Sequence, residues 1–136
     1  MILLVRMAIL IEYGHMIKQP AHATHLYPEG WTDYRLVDSG QGLKLEQFGP
    51  YRFIRPEPQA LWAKFLPEPE WSCADGVFVP GGTDDKGKWQ LSDKLPTSWQ
   101  MVFEGIKFNA LPTPFRHLGF FPEQSPNWQW TAEKIK

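Results

Sequence analysis

The residues with chemistry to offer are concentrated in one run, His117-Leu118-Gly119-Phe120-Phe121-Pro122-Glu123-Gln124-Ser125-Pro126-Asn127-Trp128-Gln129-Trp130. An imidazole, a carboxylate, amides and several aromatic rings crowd into a segment with neither helical nor strand periodicity. Such a composition suits the wall of a pocket: rings for apolar contact, amides and an acid for polar grip. Trp128 and Trp130, spaced i, i+2, share a face if the backbone is extended. His117 has no nucleophile or carboxylate fixed beside it by spacing, so it reads first as a structural hydrogen bonder rather than a base. Glu123 and Gln124 suit either the grip of a polar ligand or the tying down of a loop end.

Other chemistry-bearing residues are more scattered. His15, His22 and His25 lie near the N-terminus with Glu12 and Glu29. Without paired cysteines they make no complete zinc set, and no metal site is assigned. The single cysteine, Cys73, excludes an internal disulfide and is expected to be a small buried hydrophobe. Arg55-Pro56-Glu57-Pro58-Gln59-Ala60-Leu61-Trp62 has two prolines stiffening the chain around Glu57. It is either a rigid loop presenting Arg55, Glu57 and Gln59 to a partner or a strand-to-helix connection. No Gly-rich phosphate loop, paired-carboxylate motif or serine elbow is present, and no catalytic residue is assigned.

The elements that must position these groups are short. The chain has 136 residues, with 13 prolines and 11 glycines, which leaves little room for long helices. Tyr34 to Val37 reads as a strand and 38–42 as a turn. Leu43 to Phe48 and Tyr51 to Arg55 alternate apolar and polar residues around Gly49-Pro50 and predict a β-hairpin. Pro58 to Lys64 predicts one short helix with proline in its first turn, and 67–97 is loop-rich. Within it, 77–79 and 88–91 are candidates to pair across a polar excursion. Ser98 to Phe103 and Ile106 to Leu111 predict a second hairpin turning at Glu104-Gly105. Trp62, Trp71, Trp89 and Trp99 are expected in the core.

Residues 1–11 are apolar but too short to span a bilayer, and they lack the n-region and cleavage site of a secretory signal. They are a strand, a short amphipathic helix or an appendage. Fifteen acids against fourteen lysines and arginines give a net charge of −1, so the chain carries no basic footprint for nucleic acid. A cytoplasmic location is the expectation.

From Tyr34 to Trp130 the chain resembles the N-terminal part of bacterial class I S-adenosylmethionine-dependent methyltransferases related to the large-subunit ribosomal RNA cytosine methyltransferases. The resemblance rests on an ordered set: Asp38-Ser39-Gly40, Lys44-Leu45-Glu46, Phe48-Gly49-Pro50-Tyr51-Arg52, Arg55-Pro56-Glu57-Pro58-Gln59-Ala60-Leu61-Trp62, His117-Leu118-Gly119-Phe120-Phe121-Pro122-Glu123-Gln124 and Asn127-Trp128. It implies a small β-rich module ahead of a Rossmann-like catalytic domain. It also implies that Phe121, Gln124, Asn127 and Trp128 border the S-adenosylmethionine pocket. The family pattern has glycine where this chain has Arg116.

The fold class expected is thus mainly β (α+β): a small antiparallel hairpin domain with one short helix and no Rossmann-like catalytic domain. Residues 1–30 would be a leader, 31–116 the β-rich module and 117–136 the segment bordering the cofactor pocket. The expected function is that of an N-terminal fragment or module of such a methyltransferase, inactive alone and completed by a separate catalytic domain or chain. No membrane or metal partner is expected, and nucleic acid only in the full-length context. The alternatives are a stand-alone aromatic-rich β binding module using Trp128 and Trp130, or a non-functional remnant.

Overall fold

The computed structural model describes residues 29–82 and 87–135. The apolar N-terminal run and His15, His22 and His25 lie outside the described residues. Among the described residues seven strands carry the fold: β1 (Tyr34–Gly40), β2 (Leu43–Phe48), β3 (Tyr51–Pro56), β4 (Gly76–Pro80), β5 (Gly87–Leu91), β6 (Trp99–Phe103) and β7 (Ile106–Ala110). Helix α1 spans Glu68–Ser72, a 3-10 turn spans Pro122–Gln124, and helix α2 spans Ser125–Ile135. The chain is mainly β, as its patterning predicts. No βαβ array of a doubly wound domain is present among the described residues, nor any helix long and apolar enough to cross a membrane.

Strands β1 to β5 form one sheet in chain order, and β6 pairs with β7 in a second. Every pair is antiparallel except β3–β4, which is parallel and brings Phe53 opposite Gly76 and Ile54 opposite Val77. A Cβ on Gly76 would stand 2.7 Å from the Phe53 ring, so glycine is what lets that ring lie over β4. The β2–β3 register sets Lys44, Glu46 and Phe48 on one face with Arg55, Phe53 and Tyr51. That face carries the core, where Phe48 and Phe53 pack with Trp99, Met101, Ala110 and Leu118. Phe53 stacks on Trp99 at 5.4 Å. Burying rings of this size is the main favourable term in a domain this small.

Strand β1 contains a β-bulge. Leu36 pairs with Glu46, but Asp38 pairs with Leu45, so the register slips by one between them. A one-residue slip sends every later side chain to the other face. Asp38 therefore leaves the face of Tyr34 and Glu46 and meets the 57–72 segment on the opposite one. Its carboxylate accepts from the backbone N–H of Phe65 (3.0 Å) and Leu66 (2.8 Å) and from Trp71 Nε1 (3.1 Å). Ser39 accepts from Trp62 Nε1 through its carbonyl at 2.9 Å. A Cβ on Gly40 would stand 2.5 Å from the Lys64 backbone nitrogen. Asp38-Ser39-Gly40 and the run through Trp62 are thus two halves of one junction.

That junction explains why the helix expected over 58–64 does not form. The carbonyls of Ala60 and Trp62 accept from Gly42 (2.9 Å) and Gln41 (2.7 Å), and Glu57 donates to Gly42 O at 2.7 Å. Tertiary bonds take the backbone groups a helix would use, and helix propensity is too weak to resist. The helix lies later instead, over Glu68–Ser72, with proline and acids in its first turn. Of the tryptophans assigned to the core, Trp71 and Trp99 are buried, while Trp62 and Trp89 are half-buried. Cys73 is exposed rather than buried, since it caps the solvent end of that short helix.

Asp38→Ala removes the shared acceptor of four donors, the amides of Ser39, Phe65 and Leu66 and the Trp71 indole. It is expected to cost about 3 kcal/mol of unfolding free energy, read by urea denaturation. Asp93→Ala, on an exposed turn, is expected to stay within about 0.5 kcal/mol of the parent.

Candidate functional site

The C-terminal segment is built on the end of β7. Past Ala110 the chain loops out and folds back on itself. Leu111 donates to Leu118 O (3.2 Å) and Thr113 to His117 O (3.4 Å). Thr113 Oγ1 donates to His117 O at 2.8 Å. Trp89 Nε1 donates to the carbonyls of Thr113 (2.8 Å) and Phe115 (3.0 Å), which ties the loop to β5. His117 Nδ1 accepts from the Gly119 amide at 3.3 Å. The imidazole is therefore a structural element of this turn, and Gly119, at φ +90, supplies the left-handed residue it needs.

Beyond the turn the segment is half anchored and half exposed. Leu118, Pro122 and Ser125 are fully buried. Phe120 packs among Phe108 (4.7 Å), Phe48 and Trp31 (both 5.7 Å). On the outside, Phe115, His117 and Phe121 form a ladder of rings with centroids 5.8 and 5.1 Å apart, and Leu111 lies beside Gly119. Phe121 is 47% exposed and Phe115 44%. This leaves an open apolar shelf along the outer edge of a well-anchored loop.

The residues assigned to the cofactor rim fall into three local settings. Phe121 leans on His117. Gln124 and Asn127 meet directly, Asn127 Nδ2 donating to Gln124 Oε1 at 2.8 Å. Trp128 sits edge-on to Phe103 (5.7 Å) and Trp31 (6.2 Å) and stays 40% exposed. The 3-10 turn joins them, with Gln124 N donating to Phe121 O at 3.0 Å. On the helical spacing, Gln124, Asn127 and Trp128 share a side.

Trp128 and Trp130 do not share a face. Ser125–Ile135 is helical, and an i, i+2 pair on a helix points about 200° apart. The extended-backbone reading is corrected for that reason, and with it the idea of one continuous stacking surface made by the two rings. The signal for this helix was Ser125-Pro126 followed by Thr131-Ala132-Glu133-Lys134, a start residue, a first-turn proline and good helix formers.

The loop rests on a buried polar cluster centred on Arg55, which one of the two sequence readings of 55–62 presented to a partner. Arg55 does not face a partner. Its Nε donates to Glu46 Oε2 at 2.6 Å and its Nη2 to Glu46 Oε1 at 2.7 Å. Its remaining nitrogen, Nη1, donates to the carbonyl of Arg116 at 3.1 Å, 61 residues along the chain. Tyr34 Oη donates to Glu46 Oε1 at 2.9 Å. Gln59 is exposed, and Glu57 lies 3.5 Å from Lys44. The position where the family pattern has glycine thus supplies a backbone carbonyl to this cluster. The one signal in the sequence was the apolar Phe48, which stands two residues after Glu46 and so on the same face of the strand.

Burial raises the Tyr34 hydroxyl far above the ordinary tyrosine range, and the charge and hydrogen bond of Glu46 push it further. For Arg55, burial acts downward, but the hydrogen bond and charge of Glu46 outweigh it and the net shift is upward. Nothing here activates a nucleophile. Among the described residues no group of three His, Cys, Asp or Glu side chains is placed to hold a metal. The shelf, the amide pair and Trp128 are suited to binding rather than to bond making.

Comparison with solved structures gives a likeness over nearly the whole chain. The chain is similar to the SAM-dependent methyltransferase from Agrobacterium tumefaciens, with 36% sequence identity and a TM-score of 0.70. The match covers 90% of this chain and 42% of that one. The chain therefore spans less than half the length of the enzyme it resembles. No protein-family model and no curated protein matches it.

Because Tyr34 is held neutral when folded, its contribution is fully present below the unfolded tyrosine pKa of about 10 and is lost as pH rises above it. Unfolding free energy is expected to fall above that pH in the parent. In Tyr34→Phe it should fall less steeply, as read by urea denaturation across pH 9 to 11.

Proposed function

We propose that this chain is the β-rich module of an S-adenosylmethionine-dependent methyltransferase, one that walls the cofactor cleft of a Rossmann-like catalytic domain without catalysing transfer itself. The observation that carries this reading is the match to the Agrobacterium enzyme: 36% identity over nearly the whole of this chain but under half of that one. The exposed Leu111, Phe115 and Phe121 supply an apolar face for the catalytic domain, and burial of such a face is the usual source of domain adhesion. Phe121, Gln124, Asn127 and Trp128 would stand at the rim of the cofactor. The rings would make apolar contact with it, and the amide pair would hydrogen-bond to its polar edge.

Methyl transfer needs the sulfonium carbon held in line with the acceptor. The described residues contain neither a doubly wound cofactor sheet nor an activated acceptor-binding group, so this role belongs to the catalytic domain. By the resemblance to ribosomal RNA cytosine enzymes RNA is one candidate acceptor for the whole enzyme, beside a protein or a small molecule. With a net charge of −1 the module offers little phosphate affinity of its own.

The test is reconstitution. Titration calorimetry of the chain with S-adenosylmethionine alone is expected to show no tight binding. Adding the catalytic domain of the Agrobacterium enzyme should produce a complex that binds S-adenosylmethionine more tightly than that domain alone. Micromolar binding by the isolated chain, or no complex with the catalytic domain, would overturn the reading.

A further inference from the structure

We propose that the Glu46–Arg55 pair is the positioning device for the 116–124 loop, acting through the Arg116 carbonyl; this rests on the reading of that loop as the cofactor rim. Three observations converge on it. Both side chains are buried, Glu46 fully and Arg55 at 6% exposure, on the core face of the sheet. The guanidinium uses Nε and Nη2 on one carboxylate, which fixes its plane and therefore the direction of Nη1. That third direction ends on the Arg116 carbonyl at 3.1 Å, immediately before the His117-Gly119 turn.

The arrangement is a lever with a fixed pivot. Glu46 is immobilised by the β2–β3 ladder and by Tyr34, and Lys44 Nζ stands 3.7 Å away. The Arg55 carbon lies 5.3 Å over the Phe48 ring, which holds the guanidinium against the core. A lysine at 55 keeps one charge opposite Glu46 but cannot hold the carboxylate and reach the Arg116 carbonyl together. Leu118 and Phe120 anchor the loop by burial, which sets its depth. The Arg55 bond is directional, so it sets where the turn sits along the sheet. That in turn places Phe121 and the start of the 3-10 turn.

Native-state hydrogen exchange on the full 136-residue chain tests this. Arg55→Lys is compared with Tyr34→Phe/Glu46→Leu/Arg55→Met, which removes the whole polar cluster and leaves no buried charge behind. Arg52→Met, which breaks the exposed 2.9 Å pair with Glu70, is the control. In both test variants the amides of Leu111, Thr113, Gly119 and Gln124 should exchange about tenfold faster or more, with β2–β3 amides within about twofold of the parent. The control should leave the loop amides unchanged. A folded test variant whose loop is as protected as in the parent would overturn the proposal.

The second readout is S-adenosylmethionine affinity of the complex reconstituted with the Agrobacterium catalytic domain. It should weaken about tenfold in Arg55→Lys, the equivalent of about 1.4 kcal/mol. A loosened loop with unchanged cofactor affinity would support the positioning role and overturn the cofactor-rim reading, so the two failures are distinguishable.

Discussion

A carboxylate with no exposed surface has to be answered by donors, and Glu46 is such a group on the core face of the main sheet. Leaving it unpaired would cost several kcal/mol, a large fraction of the stability of a domain this size. Arg55 and Tyr34 answer it, and each comes from a neighbouring strand. The pairing is satisfied only in one register of β1, β2 and β3, so a polar requirement selects the alignment that also brings Phe48 and Phe53 to the core. Hydrophobic burial supplies the driving force. The buried charge supplies the choice among ways of spending it.

The opposite face of the same sheet is organised by a second carboxylate. Asp38 would share the face of Glu46 if β1 ran without interruption, and two buried acids would then compete for the same donors. The bulge after Leu36 separates them. Asp38 instead gathers two amides and an indole from the 57–72 segment, a stretch rich in proline with few backbone bonds of its own. The sheet is thus covered on both sides by different means, with rings from β6, β7 and the C-terminal segment on one and a stapled loop on the other.

The C-terminal segment joins these two themes to the similarity with the Agrobacterium enzyme. Its inner residues, Leu118, Phe120, Pro122 and Ser125, complete the core, while Leu111, Phe115, Phe121 and part of Trp128 remain outward. The edge is thus anchored from within and carries exposed apolar side chains on its outer side. The similarity spans 42% of that enzyme's length.

The sequence by itself determined the hairpins. Alternation in 43–55 and 98–111, with Gly49 and Gly105 at their turns, depends on neighbours a few residues apart, and the structure places those strands where the pattern does. The ordered motifs likewise pointed to the methyltransferase-like architecture before any contact was known. Only the tertiary structure decided what lay between. The helix suggested by Pro58 to Lys64 gave way because Gln41 and Gly42 claim its carbonyls. Arg55 turned inward because Glu46, nine residues away but diagonal to it across the ladder, is a fully buried carboxylate whose two oxygens both accept from the guanidinium. The parallel β3–β4 pair and the reach of Arg55 to Arg116 join residues far apart in the chain. Local pattern encodes local geometry, but the pairing of buried charges is settled only when distant segments arrive together and water has left.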